Sequence, residues 1–577
     1  MKLRSHVLFV FLTLLTILFT PVLQAGAAEN GSSGDVLIVS GTITNAHAKP
    51  VADVKIDFYV NGKKFPLKEE VSTSRMGRYE AELVLPAGTL SGAGVELEAA
   101  RPSYRTTGKI ALDNIVRECE VEQGKTRFLA HSSFHIERAI TPAFWIATIV
   151  LFAVYTLIAL EFMHRTLAAL LGASIMLFVT YTLGTFNPNY VILPFEDAMR
   201  AIDMNVIFLL LAMMIIVGIL KKTGVFQWTA CKAYQAARGN VFVLAGILMA
   251  VTAVISAFLD NVTTMLLVIP VTIEIALTLK VSPVAFLIPE AFASNVGGTA
   301  TLIGDPPNIM IGSYAKLTFM DFVQNLTVVN IIGLAVIILY FAWWYRKEYR
   351  QAHVENVQKT IAHLKETYTI TDRSLLIKGL IVLGLTIFLF IIHGALNMEP
   401  SIAALFGATV LMVISKIDIV EMLEHEIEWP TLIFFMMLFV VVAGAEETGL
   451  IQVIAEWVKN MSKGSLVIAV LMILWVSALA SAIIDNIPFT ATMLPIVAYL
   501  TTEIPGAECG VLWWALSLGA CLGGNGTMIG ASANVVTVGM AERAGYSISF
   551  MDYLKAAFIP MLITIVICSA WLLLVEM

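Results

Sequence analysis

Two short runs hold the side chains most able to do chemistry. Ser256-Ala257-Phe258-Leu259-Asp260-Asn261-Val262, followed by Pro270, and Ser481-Ala482-Ile483-Ile484-Asp485-Asn486-Ile487, followed by Pro495, each set a carboxylate beside a carboxamide inside apolar sequence. A carboxylate at the centre of a bilayer costs about 2.5–3.5 kcal/mol on insertion scales, so each aspartate needs a compensating partner. A proton or Na⁺ is the obvious one, and an aspartate that alternately holds either is a minimal antiporter. The plainer reading is a structural carboxylate bonded to a helix end. With only two residues to turn in, each run also reads as the deep tip of a helical hairpin, though hydropathy does not separate a re-entrant hairpin from two full spans.

A second motif accompanies each tip. Gly297-Gly298-Thr299-Ala300-Thr301-Leu302-Ile303-Gly304, ending in Asn308, matches Gly523-Gly524-Asn525-Gly526-Thr527-Met528-Ile529-Gly530, ending in Asn534. The glycines tolerate unwinding, and Asp305-Pro306-Pro307 closes the first run. Unwound helices in membranes free carbonyls for a cation and expose a helix N-terminus to an anion, with Thr301, Thr527, Asn308 and Asn534 adding neutral oxygens. A lone Gly-Gly more often serves close packing, but here the pair recurs. The offsets between the two motif sets are 225 and 226 residues, so the chain is internally duplicated. Glu290, inside the span before the first glycine run, is a candidate proton carrier or a buried structural carboxylate.

The elements that must position these residues are membrane helices. The composition is 58% hydrophobic and 14% charged over 577 residues, too apolar for a water-facing surface. A formal charge of −7 without basic, aromatic-interleaved patches argues against nucleic-acid binding. The five cysteines show no metal spacing. Apolar spans run through residues 143–345 and 375–577, about 11 spans plus two hairpins, with a cytoplasmic linker at 346–374. If the N-terminal domain is exported, sixteen Lys and Arg fall in cytoplasmic loops and four in external ones, which fits the positive-inside rule. The halves then start on opposite sides and form inverted repeats, whose binding site lies at the repeat interface near the midplane.

Residues 1–28, with Lys2, Arg4, an apolar run and Ala25-Gly26-Ala27, read as a signal peptide. Residues 35–137 alternate like half-buried strands and read as a small extracytoplasmic β-sandwich. Its Ser40-Gly41-Thr42-Ile43, Lys49-Pro50-Val51, Val54 and Met76-Gly77-Arg78-Tyr79 resemble the carboxypeptidase-regulatory-like sandwich. His47, His131 and His135 are expected to be solvated.

Taken together, the Asp-Asn tips and glycine runs over roughly residues 160–577 resemble the ion transporter superfamily, in particular the group of arsenite pumps, NhaD-type sodium/proton antiporters and the melanosomal P protein, with a citrate transporter-like domain. The resemblance implies two hairpins, two unwound helices, a homodimer and elevator-like movement of the site. It implies an ion- or substrate-binding set of Asp260, Asn261, Thr264, Gly297, Gly298, Thr299, Thr301, Asp305, Asn308, Asp485, Asn486, Thr490, Gly523, Gly524, Asn525, Thr527 and Asn534. Na⁺ would lie at Asp260, Asn261, Asp485 and Asn486. Where related sodium/dicarboxylate carriers read Ser-Asn-Thr, this chain has Asp260-Asn261-Val262 and Asp485-Asn486-Ile487. Two fixed negative charges repel a dicarboxylate unless neutralised. The expectation is a non-enzymatic secondary transporter of the inner membrane, without a cofactor, coupled to Na⁺ or H⁺ and most consistent with Na⁺/H⁺ antiport. The alternatives are an anion or oxyanion transporter and, from another class, a membrane sensor using the sandwich.

Overall fold

The computed structural model describes residues 34–45, 50–67, 70–74, 76–86, 94–101, 104–112, 115–122, 125–352, 366 and 368–576. The signal-peptide reading, His47, Lys49 and linker residues 353–365 and 367 lie outside them. The chain divides into two compact units, up to Arg138 and from Ala139 onward.

The first unit is a pair of five-stranded sheets. The long strand β1 (Gly34–Asn45) runs antiparallel to β5 (Arg78–Pro86) and parallel to β9 (Lys125–His131) and β10 (Phe134–Ile136), while β8 (Ile115–Glu122) pairs with β9. The second sheet is built on β2 (Lys55–Val60) and β6 (Val95–Ala100), with β3 (Lys63–Lys64), β4 (Val71–Ser72) and β7 (Ile110–Ala111). Strict alternation along β5, with Tyr79, Ala81, Leu83 and Leu85 inward, follows from the two-residue side-chain period of a strand. Leu37, Val39, Ile43, Phe58 and Leu97 complete the core. The motif residues are packing devices: a Cβ on Gly41 would lie 1.8 Å from Ser132 O, and Gly77 takes φ +67°, a conformation that favours glycine. Tyr79 Oη donates to Ser132 O at 2.7 Å. His131 and His135 are exposed.

The second unit repeats one order of elements twice. The first half contains α1 (Pro142–Ala159), α2 (Arg165–Phe186), the short α3 (Phe195–Ala201), α4 (Met204–Lys221), α5 (Val225–Ala237), a hairpin of α6 (Val241–Ser256) and α7 (Asn261–Thr278), a broken helix of α8 (Val284–Thr299) and α9 (Pro306–Ala315), and α10 (Phe319–Trp344). After α11 (Arg346–Gln351), the second half follows as α12 (Arg373–Ile392), α13 (Pro400–Ser415), the short α14 (Ile419–His425), α15 (Trp429–Glu447), α16 (Leu450–Ser462), the hairpin α17 (Leu466–Ser481) and α18 (Asn486–Glu503), the broken helix α19 (Val511–Gly523) and α20 (Ser532–Arg543), and α21 (Phe550–Trp571). Eight helices among the described residues are long and apolar enough to cross a membrane. The two halves are inverted repeats preceded by the sandwich.

The hairpin tips form for a local reason. Asp260 caps α7 by accepting from Thr263 N at 2.9 Å, and Asp485 caps α18 by accepting from Ile487 N at 3.0 Å; both aspartates thereby satisfy backbone donors that a helix start leaves orphaned. The tips are pinned to the breaks, because Thr301 Oγ1 donates to Ala257 O and Thr527 Oγ1 to Ala482 O.

The glycine runs unwind in their second parts, and their leading glycines do not. Gly297, Gly298 and Gly523 are still helical, and the irregular stretches are 300–305 and 527–531, the second preceded by a 3₁₀ turn at Gly524–Gly526. The glycines instead permit contact between backbones. A Cβ on Gly297 would sit 2.0 Å from Ala253 O, and one on Gly523 would sit 2.4 Å from Ala478 O. We therefore expect Gly297→Ala to lower the midpoint of thermal unfolding of detergent-purified protein by several degrees and to cut monodisperse yield, whereas Gly384→Ala, with nothing within 4 Å of its Cβ, changes neither; equal midpoints for the two variants would contradict the packing assignment.

Candidate functional site

Each helix break is held open by an asparagine that begins the next helix. Asn308 Nδ2 donates to Thr299 O at 3.0 Å and Thr301 O at 2.8 Å; Asn534 Nδ2 donates to Gly524 O and Thr527 O, both at 2.9 Å. These carboxamides take up carbonyls that lost their helical partners, which is how non-helical backbone is tolerated at membrane depth. Their oxygens face the other half. Asn308 Oδ1 accepts from Ser517 Oγ at 2.6 Å, and Asn534 Oδ1 accepts from Asn295 Nδ2 at 3.1 Å. Asn308 and Asn534 are thus structural clips between the halves in this geometry, with their amide protons and carbonyl oxygens already engaged.

The two hairpin tips converge on one carboxylate. Asp305, fully buried, accepts from Asn261 Nδ2 at 3.2 Å and from Asn486 Nδ2 at 3.4 Å. Asn295 extends the chain of amides. Its Oδ1 accepts from Asn261 Nδ2 at 3.0 Å while its Nδ2 donates to Asn525 Oδ1 at 2.9 Å. Beside this network is a small cleft lined by Asp260, Asn261, Asp305, Asn486, Ser532, Arg165, Glu428 and Thr431, among others, with about 20 Å³ of free space. That is enough for one water-sized occupant and far short of a tricarboxylate. Asn261 Oδ1 is buried without a partner, as are Asn525 Nδ2 and Thr264 Oγ1. Buried polar atoms normally have partners, so Asn261 Oδ1 is an oxygen with spare capacity beside two carboxylates. Among the described residues no three His, Cys, Asp or Glu side chains converge to hold a metal ion; a cation here would draw on carboxamide, hydroxyl and backbone oxygens as well.

The two tip aspartates have different surroundings. Asp485 Oδ2 receives Arg165 Nη1 at 3.4 Å and Ser532 Oγ at 2.9 Å. Asp260 forms no ion pair with Lys or Arg among the described residues, and the neighbouring charges are those of Asp305 and Glu428. Of the remaining expected residues, Thr299 and Thr490 donate to the carbonyls of Asn295 and Asn486, so they serve helix ends, and Gly297, Gly298, Gly523 and Gly524 serve packing. Glu290 lies outside the cleft lining. It is fully buried, Oε1 accepts from Thr272 Oγ1 at 3.0 Å, and Oε2 has no partner.

Arg165, Asn295, Glu428, Ser517 and Ser532 were not expected at the site. Asn295 had a sequence signal, since a carboxamide two residues before Gly297 in an apolar span must find a partner. Arg165 and Glu428 resemble ordinary charges at helix starts, and nothing local distinguishes them. Removing Asn295 leaves Asn525 Oδ1 without its donor and cuts one of the amide links between the halves. We expect Asn295→Leu to lose about 1–3 kcal/mol of stability, measured as a lowered denaturation midpoint, together with most ligand-dependent thermal stabilisation; wild-type stabilisation would contradict its assigned place.

Comparison with known proteins agrees with this architecture. The family model described as citrate transporter, CitMHS, matches residues 155–519. The 46 kDa membrane protein of Mycobacterium leprae is 41% identical over 428 residues, covering 74% of this chain and 97% of its own. An uncharacterized transporter of Mycobacterium tuberculosis has the same identity and coverage. The human P protein is 36% identical over 504 residues, covering 74% of this chain and 59% of its own length. Among solved structures, the Alcanivorax borkumensis YdaH transporter aligns with a TM-score of 0.50 at 13% identity, over 71% of this chain and 98% of that one, a likeness of fold alone.

Proposed function

Because this chain belongs to the citrate transporter family CitMHS and is a membrane transporter, we propose that it exchanges a small cation, Na⁺ in the first instance, for protons at the cleft between its hairpin tips. The observation that carries this reading is the charge of the cleft: Asp260, Asp305 and Glu428 line it, and its single guanidinium, Arg165, is already paired with Asp485. Bare carboxylates in a low-dielectric site demand neutralisation. A proton on Asp260 or Asp305 and a cation beside them are alternative ways to supply it, so occupancy by one opposes occupancy by the other. Asn261 Oδ1, buried and unpartnered, supplies a neutral oxygen for the cation. On this reading the chain works as a homodimer in the cytoplasmic membrane with the sandwich outside, a sidedness supported by the bias of Lys and Arg between its loops.

The second reading is anion transport, which Arg165 and the adjacent start of α20 at Ser532 favour, since a guanidinium and a helix N-terminus both suit an anion. It requires two or more of the surrounding carboxylates to be neutralised first.

Proteoliposomes containing a pH-sensitive dye separate the two. With an imposed Na⁺ or Li⁺ gradient, wild type is expected to move protons, and Asp260→Asn or Asp305→Asn to reduce that flux about a hundredfold or more. Proton movement that follows citrate or another anion and ignores Na⁺ would replace antiport with the second reading.

Glu290 supports a narrower expectation. Its single hydrogen bond and unpartnered oxygen in a fully buried place suit a group that carries a proton to and from the cleft. Glu290→Gln is expected to retain ²²Na⁺ binding within about threefold while proton-coupled flux falls about tenfold or more. Unchanged coupled flux at every pH from 6 to 9 would make Glu290 a structural carboxyl.

A further inference from the structure

Asp260 and Asp485 occupy matching places at the two hairpin tips, yet their partners differ. Both oxygens of Asp485 are committed: Oδ1 caps Ile487 N, and Oδ2 takes Arg165 Nη1 and Ser532 Oγ. Arg165 is held from behind as well. Its Nη2 donates to Thr431 Oγ1 at 3.3 Å, and its guanidinium lies 5.3 Å from the centre of the Phe434 ring. The α2 start that carries it is tied to the α15 start, where Thr166 Oγ1 donates to Pro430 O at 2.7 Å. The Arg165 and Asp485 side chains are 23% and 10% exposed, so the pair is only partly screened by solvent. Asp260 has a cap bond to Thr263 N and no such partner. α2 begins with Arg165, while the matching helix of the second half, α13, begins with Pro400, which lines a separate pocket with Asn205, Ser313 and Lys316.

We propose that Arg165 is a tethered cation that fills, at Asp485, the position a transported cation would otherwise take. The exchangeable centre is then formed by Asp260, Asp305 and Asn261, and the second half contributes Asn486 and a carboxylate already neutralised by the protein itself. This rests on the cation reading above and deepens it. An arginine stays charged throughout the accessible pH range, so Asp485 keeps its countercharge whatever occupies the exchangeable centre. A cation can reach Asp485 only by displacing the guanidinium, which makes Arg165 a competitor of the cargo and a determinant of how many ions bind.

Binding of ²²Na⁺ to the purified full-length protein in nanodiscs tests this, because a competitor and a structural strut predict opposite signs. Arg165→Gln is expected to bind Na⁺ about tenfold more tightly or to gain one Na⁺ per chain, by loss of a like charge within several ångströms. Adding Asp485→Asn to that variant should reverse the gain, and Arg165→Lys should lie between wild type and Arg165→Gln. Should Arg165→Gln not yield folded protein, Arg165→His provides the same comparison within one sample: relative to the wild-type pH curve, which includes titration of Asp260, Asp305 and Glu428, its extra Na⁺ binding should appear as pH rises from 5.5 to 8.5. Unchanged or weaker binding in these variants, or a gain that survives Asp485→Asn, overturns the tethered-cation role. Wild-type protein that binds no Na⁺ at all overturns the cation reading itself and the tethered-cation role with it.

Discussion

A carboxylate shared between two carboxamides at the meeting point of the hairpins is the constraint on which the rest of this molecule depends. Asp305 stands at the end of an unwound stretch, fully buried, with Asn261 reaching it from one tip and Asn486 from the other. A buried charge satisfied from only one side would be costly. Bringing a donor from each half is what makes the interface of the repeats, and not either repeat alone, the place where the charge can reside. The first helix break sets Asp305 at the start of α9, within reach of both tips, while the second break carries Ala531 in the same place and unwinds without a carboxylate. The asparagine clips follow from the breaks, because Asn308 and Asn534 replace the hydrogen bonds that unwinding removes.

Duplication gave the two halves the same parts, and later divergence gave them different charges. Glycine contacts, threonine pins and asparagine clips are paired almost position for position. The carboxylates are not: Asp305 is matched by Ala531, where α20 begins, and Glu290 has no acidic equivalent in α19. The shared frame explains why the cleft is central, and the unequal charges make its two sides chemically different. A site with identical halves would have two equivalent aspartates, whereas here, among the described residues, only Asp485 has an arginine partner.

Much of the architecture was legible in the sequence because its signals are local and occur twice. Asp260-Asn261 and Asp485-Asn486, repeated at one offset with their glycine runs, marked the hairpins and the breaks, and alternation along β5 marked the sandwich. Two features were not legible. Gly297 and Gly523 look like points of unwinding, but whether a glycine loosens a helix or admits a neighbouring backbone depends on what lies against it, here Ala253 and Ala478. The partnerships of Arg165 with Asp485 and of Asn295 with Asn525 span 320 and 230 residues, and no periodicity or spacing connects residues so far apart. In the sequence the two aspartates are equivalent, and only a tertiary contact distinguishes them.

On the proposed reading, a small cation is held where Asp260, Asp305 and Asn261 come together. An experimental structure of the protein equilibrated with Tl⁺, a heavy stand-in for a monovalent cation, measures this most directly through anomalous scattering. The expected result is a peak within coordination distance of Asn261 Oδ1 and a carboxylate oxygen of Asp305 or Asp260, reduced by excess Na⁺ and by lowering the pH. A Tl⁺ peak confined to other parts of the molecule, or an anion bound against Arg165 in its place, would contradict it.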